Sequence, residues 1–353
     1  MDLSDLDQKI GRLFMCGLPG TTLDEETRRL IKMLNPCGMI LFSRNIRDPA
    51  QVAGLCRDLQ EASLKHHGAP LFLAVDQEGG RVSRLKSPFT EFAGGEETAA
   101  SPRPILEAER FARVTAREMR LVGLNMDMAP VMDVRRGEPE EHLRGRTFGD
   151  DPHMVARLGR TVIRTLQEEG VMAVAKHFPG LGLAGVDPHR CLPRIDILPQ
   201  DMEEVNLIPF RAAVEEGVAG IMTSHAVYPI LDPSLPATLS QAVLEGLLRG
   251  RLGYQGLIVT DDLEMGAVAT RLPVGDGAAA AFAAGADILL ICKDQALVWD
   301  GLKRIRERLL RGDIAMSRLL RSVERIERVQ RQFLDSVPLP SPSDAEAYFT
   351  ESG

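Results

Sequence analysis

Short apolar runs alternate with amphipathic segments along this chain, and the alternation repeats eight times. The runs fall at 12–17, 38–42, 71–75, 125–130, 171–175, 220–223, 257–260 and 287–291. Continuous apolarity marks strands buried on both faces, the habit of a parallel sheet covered by helices. The clearest intervening helix is 152–169, with Asp151 at its N-cap, Pro152 at its first position and Gly170 just beyond its end. Met154, Val155, Leu158, Val162, Ile163 and Leu166 form its apolar face. Segments from about Gln51, Ile105, Asp201, Gln241, Gly275 and Ala296 look similar, with weaker caps. Eight such units suit a closed (β/α)8 TIM-type barrel better than an open doubly wound sheet. No GxGxxG follows the first run, which also counts against the doubly wound alternative. Met316, Leu319, Leu320, Val323, Ile326 and Phe333 mark one more helix, expected on the outside of the barrel. The expected organisation is one catalytic barrel with a C-terminal helix over 1–335. A Pro- and Ser-rich tail, extended or disordered, follows over 336–353.

A chain of 353 residues with 44% apolar side chains buries a full core without disulfides or metals. A net charge of −8 argues against nucleic acid or an anionic membrane as partner. Cys16, Cys37, Cys56, Cys191 and Cys292 are scattered, which points to free thiols in a reducing compartment, and no zinc-ligand spacing occurs. The acidic N-terminus lacks signal-peptide character, and no apolar run reaches membrane-spanning length. These features lead to the expectation of a soluble, cytoplasmic protein.

In a barrel, chemistry sits at the C-terminal ends of the strands. Run three ends in Asp76-Gln77-Glu78-Gly79-Gly80-Arg81-Val82-Ser83-Arg84, and run four leads to Asp133 and a loop with Arg144 and Arg146. Run five enters Lys176-His177-Phe178-Pro179-Gly180 and then Asp187-Pro188-His189. Run six ends in Ser224-His225, and run seven in Asp261-Asp262-Leu263-Glu264. Charged groups at five consecutive strand ends converge on one pocket.

Taken singly, each residue has a plainer role. Asp76 and Asp133 suit helix caps, Lys176 suits a rim ion pair, and Asp262 and Glu264 suit a helix's first turn. Arg135, Arg136, Arg144 and the acidic run 138–141 read as solvated loop charges, and His66, His67 and His153 as surface residues. Asp261 directly follows a buried strand, so an unpaired carboxylate there is costly; Arg146, Lys176 and His177 are the available partners.

KHFPG followed by D-x-H, VDQEGGRV, RTFG after run four, and TDDLEM together resemble glycoside hydrolase family 3. The resemblance is greatest to its single-barrel bacterial β-N-acetylglucosaminidases of cell-wall recycling and spans about residues 10 to 300. It implies Asp261 as nucleophile, His189 as general acid/base and Asp187 as its support. It places sugar binding on Asp76, Arg84, Arg146, Lys176 and His177, and implies no metal or organic cofactor. The implied activity is that of a retaining exo-β-N-acetylglucosaminidase. Such an enzyme releases terminal N-acetylglucosamine from peptidoglycan fragments through a glycosyl-aspartate. Its expected partner is a muropeptide-like carbohydrate, with no nucleic acid and no membrane, and it is expected to act as a monomer.

One tryptophan and three tyrosines are too few for a long stacking cleft, which favours a closed pocket for one terminal sugar. The loop also departs from the family, which reads KHFPGHGDT and then DSH where this chain has KHFPGLGLA and then DPH. Pro188 biases Asp187 toward extended geometry, so altered loop kinetics are expected. The rivals are a glycoside phosphorylase, a β-glucosidase-type enzyme, an aldolase-like barrel with a Schiff base on Lys176, and a catalytically impaired sugar-binding barrel.

Overall fold

The computed structural model describes residues 2–137, 141–335 and 337–351. The apolar runs form eight strands: β1 (Phe14–Gly17), β2 (Gly38–Leu41), β3 (Phe72–Val75), β4 (Met126–Asp127), β5 (Met172–Phe178), β6 (Gly220–Thr223), β7 (Leu257–Val259) and β8 (Leu289–Ile291). Every residue in them is buried. All pairings are parallel, in the order β8-β1-β2-β3-β4-β5-β6-β7, and a parallel bridge between Val259 and Ile288 joins the two ends. The architecture is therefore the (β/α)8 barrel that the alternation requires. Among the described residues no helix is long and apolar enough to cross a membrane.

Helix Pro152–Glu168 begins as its sequence dictates. Asp151 accepts a hydrogen bond from His153 N at 2.9 Å, with Pro152 at the first turn. Two strands depart most from their apolar runs. β4 is short, because Pro130 has no N–H to give the ladder. β5 continues through Lys176, His177 and Phe178, so the lysine and first histidine stand on the barrel wall and not on a loop.

The extra helix Met316–Leu334 closes the N-terminal end of the barrel through one buried carboxylate. Asp287, fully buried ahead of β8, accepts from Arg249, Arg318, Arg325, Ser322 and the Ile258 amide. The tail differs from the expectation. Residues 337–341 are irregular, but Pro342–Glu351 is helical and packs on helix Pro49–His67. Ser341 accepts from Asp344 N through its side chain, and Pro342 occupies the first helical position. Ala345 and Phe349, one turn apart, are buried, with the Phe349 ring 4.6 Å from that of Phe89. Composition suggested disorder, whereas the local pattern is a capped helix with one apolar face.

Candidate active site

A cavity of about 760 Å³ opens at the C-terminal ends of the strands. Asp76, Arg84, Arg146, Lys176, His177, Asp187, His189 and Asp261 all line it, so the residues to which the family resemblance assigns a role meet there.

Its floor is a lattice of ion pairs. Lys176 Nζ donates to Asp76 Oδ1 at 2.9 Å and to Glu78 Oε1 at 2.7 Å. Arg146 lays Nε and Nη2 on the two oxygens of Glu78, both at 2.7 Å, a fork that fixes its plane. Arg84 Nη2 reaches Asp76 Oδ2 at 3.2 Å. Burial alone would raise both carboxyls, but Lys176 and Arg84 outweigh it at Asp76 and hold that group below the usual carboxylate range. Arg146 and Lys176 likewise bring Glu78 down to about 2 despite its burial. Burial opposes the charge on Lys176, yet Asp76 and Glu78 prevail and raise its pKa. A doubly paired ammonium is a poor Schiff-base nucleophile, which removes the aldolase-like reading. Beneath the lattice, burial raises the Asp127 carboxyl well above its usual range.

Asp133 is not a helix cap. Fully buried beyond β4, it accepts from His177 Nδ1 at 2.7 Å, from His177 N and from Leu181 N. A proton on Nδ1 leaves Nε2 as the ring's acceptor nitrogen. The same carboxylate holds the start of the following loop through Leu181, whose side chain is buried. Tyr228 Oη and Asn206 Nδ2 donate to Gly180 O, so the loop leaves β5 along a fixed path.

Further on the loop is open. Leu183 and Val186 are exposed, and His189 has 62% of its side chain accessible. Asp187 Oδ1 accepts from both His189 N at 2.9 Å and His189 Nδ1 at 2.7 Å. Partial burial works to raise Asp187, and the hydrogen bonds from His189 more than offset it.

Asp261 departs from the expected pairing. Arg146, Lys176 and His177 are engaged by Glu78, Asp76 and Asp133, and no ion pair involving Asp261 occurs among the described residues. Its carboxylate is half-buried against the cavity, and one oxygen accepts from Asp262 N at 2.8 Å. Its surroundings offer solvent access and not a cation.

The strand-end histidine His225 is structural. It is buried, with Nδ1 on Thr238 Oγ1 and Nε2 on Asp262 O, and burial lowers its pKa. Glu264 is not a first-turn acid, because it accepts the amides of Cys292, Lys293 and Asp294 and ties the β7 end to the β8 end. Sequence reasoning missed three groups. Glu78 has no separate signal inside its motif, Asp133 counts among the strand-end charges yet equally suits a cap, and His142 lies in a charged run. His142 lines the cavity with both ring nitrogens buried and without a partner among the described residues, and burial pushes its pKa down to about 4. The acidic run itself lies partly outside the described residues, at 138–140.

The family model for the glycosyl hydrolase family 3 N terminal domain matches residues 5–329. This chain belongs to glycosyl hydrolase family 3. It is a glycoside hydrolase, and its barrel is the family's fold. A protein named beta-hexosaminidase from Alkalilimnicola ehrlichii is 38% identical over 283 residues, covering 79% of this chain and 80% of that one. The beta-hexosaminidase of Pseudomonas aeruginosa PAO1 is 37% identical over 285 residues, covering 80% and 82%. Among solved family 3 structures, a β-N-acetylglucosaminidase from Paenibacillus sp. FPU-7 superimposes with a TM-score of 0.89 at 37% identity. That alignment takes in 94% of this chain and 62% of the longer Paenibacillus chain. A β-N-acetylhexosaminidase from Beutenbergia cavernae gives 0.85 at 29% identity, covering 93% of this chain and 99% of that one.

Proposed function

We propose that this chain is a retaining exo-β-N-acetylglucosaminidase that removes a terminal N-acetylglucosamine through a glycosyl-enzyme on Asp261. The observation that carries the reading is the Asp187–His189 pair at 2.7 Å, lining the same cavity as Asp261 and the ion-paired floor. The names of the relatives supply the N-acetyl preference.

Asp261 attacks the anomeric carbon while His189 gives its Nε2 proton to the departing oxygen. With Nδ1–H on Asp187, the ring has one tautomer, and the carboxylate stabilises the imidazolium that forms when water is activated in the second step. Positioned acid/base help of this kind contributes roughly 10²–10⁴ in rate. The floor groups Arg146, Lys176, His177, Asp76 and Arg84 hold the hydroxyls of one sugar. That arrangement, together with the scarcity of aromatic platforms, supports exo action. As part of the same reading we assign a muropeptide-like substrate and a monomer acting in the cytoplasm. Five unpaired cysteines, four of them buried, support a reducing compartment.

Aryl β-N-acetylglucosaminide and aryl β-glucoside assayed side by side, with Asp261→Ala as control, test the assignment. The N-acetyl substrate should be preferred and the variant inactive. Full activity in Asp261→Ala would remove the nucleophile, and His189→Ala with an unchanged rate on an alkyl glycoside would remove the acid. A histidine repels an incoming anion less than a carboxylate does, so product analysis with phosphate present separates hydrolysis from phosphorolysis.

A further inference from the structure

Beyond His189 the loop passes over the first turn of the short helix Gly266–Ala269, on the segment that follows Asp261. Gly266 N donates to His189 O at 3.1 Å, and Ala267 N donates to Pro188 O at 3.0 Å. Amides in a helix's first turn have no partner inside the helix, so these two are free to hold another segment. A Cβ on Gly266 would stand 2.6 Å from Arg190 O, 2.8 Å from His189 O and 2.9 Å from Arg190 C. All three are backbone atoms, which cannot swing aside as a flexible side chain does. Gly266 does not have a left-handed φ, so glycine serves the close approach here and not a turn.

We propose that Gly266 and Ala267 are the dock that sets the position of the acid/base loop and registers Asp187–His189 against the segment carrying Asp261. The inference rests on the roles proposed above for Asp261 and His189. Among the described residues the His189 ring bonds only to Asp187, a member of the same loop, so the backbone at 188–189 determines where the proton donor stands. Pro188 suits such a contact, since it supplies an acceptor carbonyl and its fixed φ leaves the segment less freedom to lose on docking. The other end of the loop is pinned in the same manner. A Cβ on Gly182 would fall 1.7 Å from Val134 O, and Arg136 N donates to Gly182 O at 3.1 Å. The loop is thus a strap held at both ends, with 183–187 exposed or half-buried except at Ala184. Releasing one end displaces the proton donor while Asp261 and the sugar-binding floor stay in place.

Two variants test the dock. Gly266→Ala forces the loop off by contact, and Ala267→Pro deletes one hydrogen bond at a position where a helix tolerates proline. Both should lower kcat/KM for an alkyl β-N-acetylglucosaminide, whose leaving group needs a proton, by roughly 10²-fold. The pre-steady-state burst with the 2,4-dinitrophenyl glycoside, which needs none, should stay within about 3-fold of wild type. Hydrogen exchange gives a readout independent of activity: the Gly266 and Ala267 amides are protected in the wild type, and Ala267 loses protection in Gly266→Ala. An unchanged alkyl-glycoside rate in both variants, or equal losses on the two substrates, would overturn the dock. A wild type inactive on both substrates would sink the proposed function instead, and the exchange data would still decide the dock, with unprotected amides refuting it.

Discussion

Replacing Glu78 by glutamine distinguishes a preassembled charge lattice from a set of independent side chains. In the native floor Asp76 and Glu78 face Lys176, Arg84 and Arg146, two negative charges against three positive. Glutamine leaves one against three, with both partners of Glu78 almost wholly buried. At 2.7 Å each of its two ion pairs carries a gross attraction of about 6 kcal/mol at an effective dielectric near 20. Desolvation offsets much of that, and removing one member of a buried pair typically costs about 3–5 kcal/mol net. Proton linkage offers an independent route to the same quantity. A carboxyl brought from 4.5 down to about 2 corresponds to about 3 kcal/mol. Because the folded-state pKa is depressed, that stability is fully present above pH 4.5 and is lost as pH falls through 2. Denaturant titrations at pH 7 should therefore show Glu78→Gln less stable by about 3–5 kcal/mol, with the gap narrowing below pH 4.5. Affinity for N-acetylglucosamine should fall as well, since Arg146 loses its fork. A variant within about 1 kcal/mol of wild type at pH 7, or a gap that ignores pH, would refute the lattice.

Other substitutions probe other parts of the molecule. Asp287→Asn, which undoes the clamp under the C-terminal helix, should cost about 3–5 kcal/mol in thermal or denaturant unfolding and leave kcat/KM of the folded enzyme unchanged. His142→Phe removes two unpartnered buried nitrogens and should raise stability by about 1 kcal/mol at pH 7. The folded state resists protonating this ring, so wild type loses stability as pH falls from 6.5 through about 4. The variant's advantage in melting temperature should widen over that window. Phe349→Ala should cost about 3 kcal/mol and expose the tail to proteolysis, because the ring is buried against Phe89.

The barrel was legible because each strand core is a continuous apolar run, a local signal. What the sequence concealed depends on partners far along the chain. Glu78 sits beside Gly79 in a motif readable at sight, but its importance comes from Arg146 and Lys176, brought to it by β4 and β5. Asp133 resembled a cap because any aspartate after a strand does, and only closure of β4 on β5 supplies His177. The expected pairing of Asp261 failed for the same reason, since the floor acids had already taken the cations. Pro342–Glu351 was legible in principle from Ser341, Pro342 and the spacing of Ala345 and Phe349. Its proline- and serine-rich approach outweighed that pattern.

The interlocked floor has an evolutionary corollary. A change of sugar preference made at Glu78, Arg146 or Lys176 must first survive the loss of folding stability that any one of those changes brings. The permissive ground is the rim, where the strand-four loop outside Asp133 and Arg146 and the strap between its pinned ends, residues 183–186, carry few such obligations. Those are the segments in which this chain departs from the family pattern. New leaving-group or substrate tolerances in this barrel are therefore expected to arise by rewriting the rim around an unaltered floor.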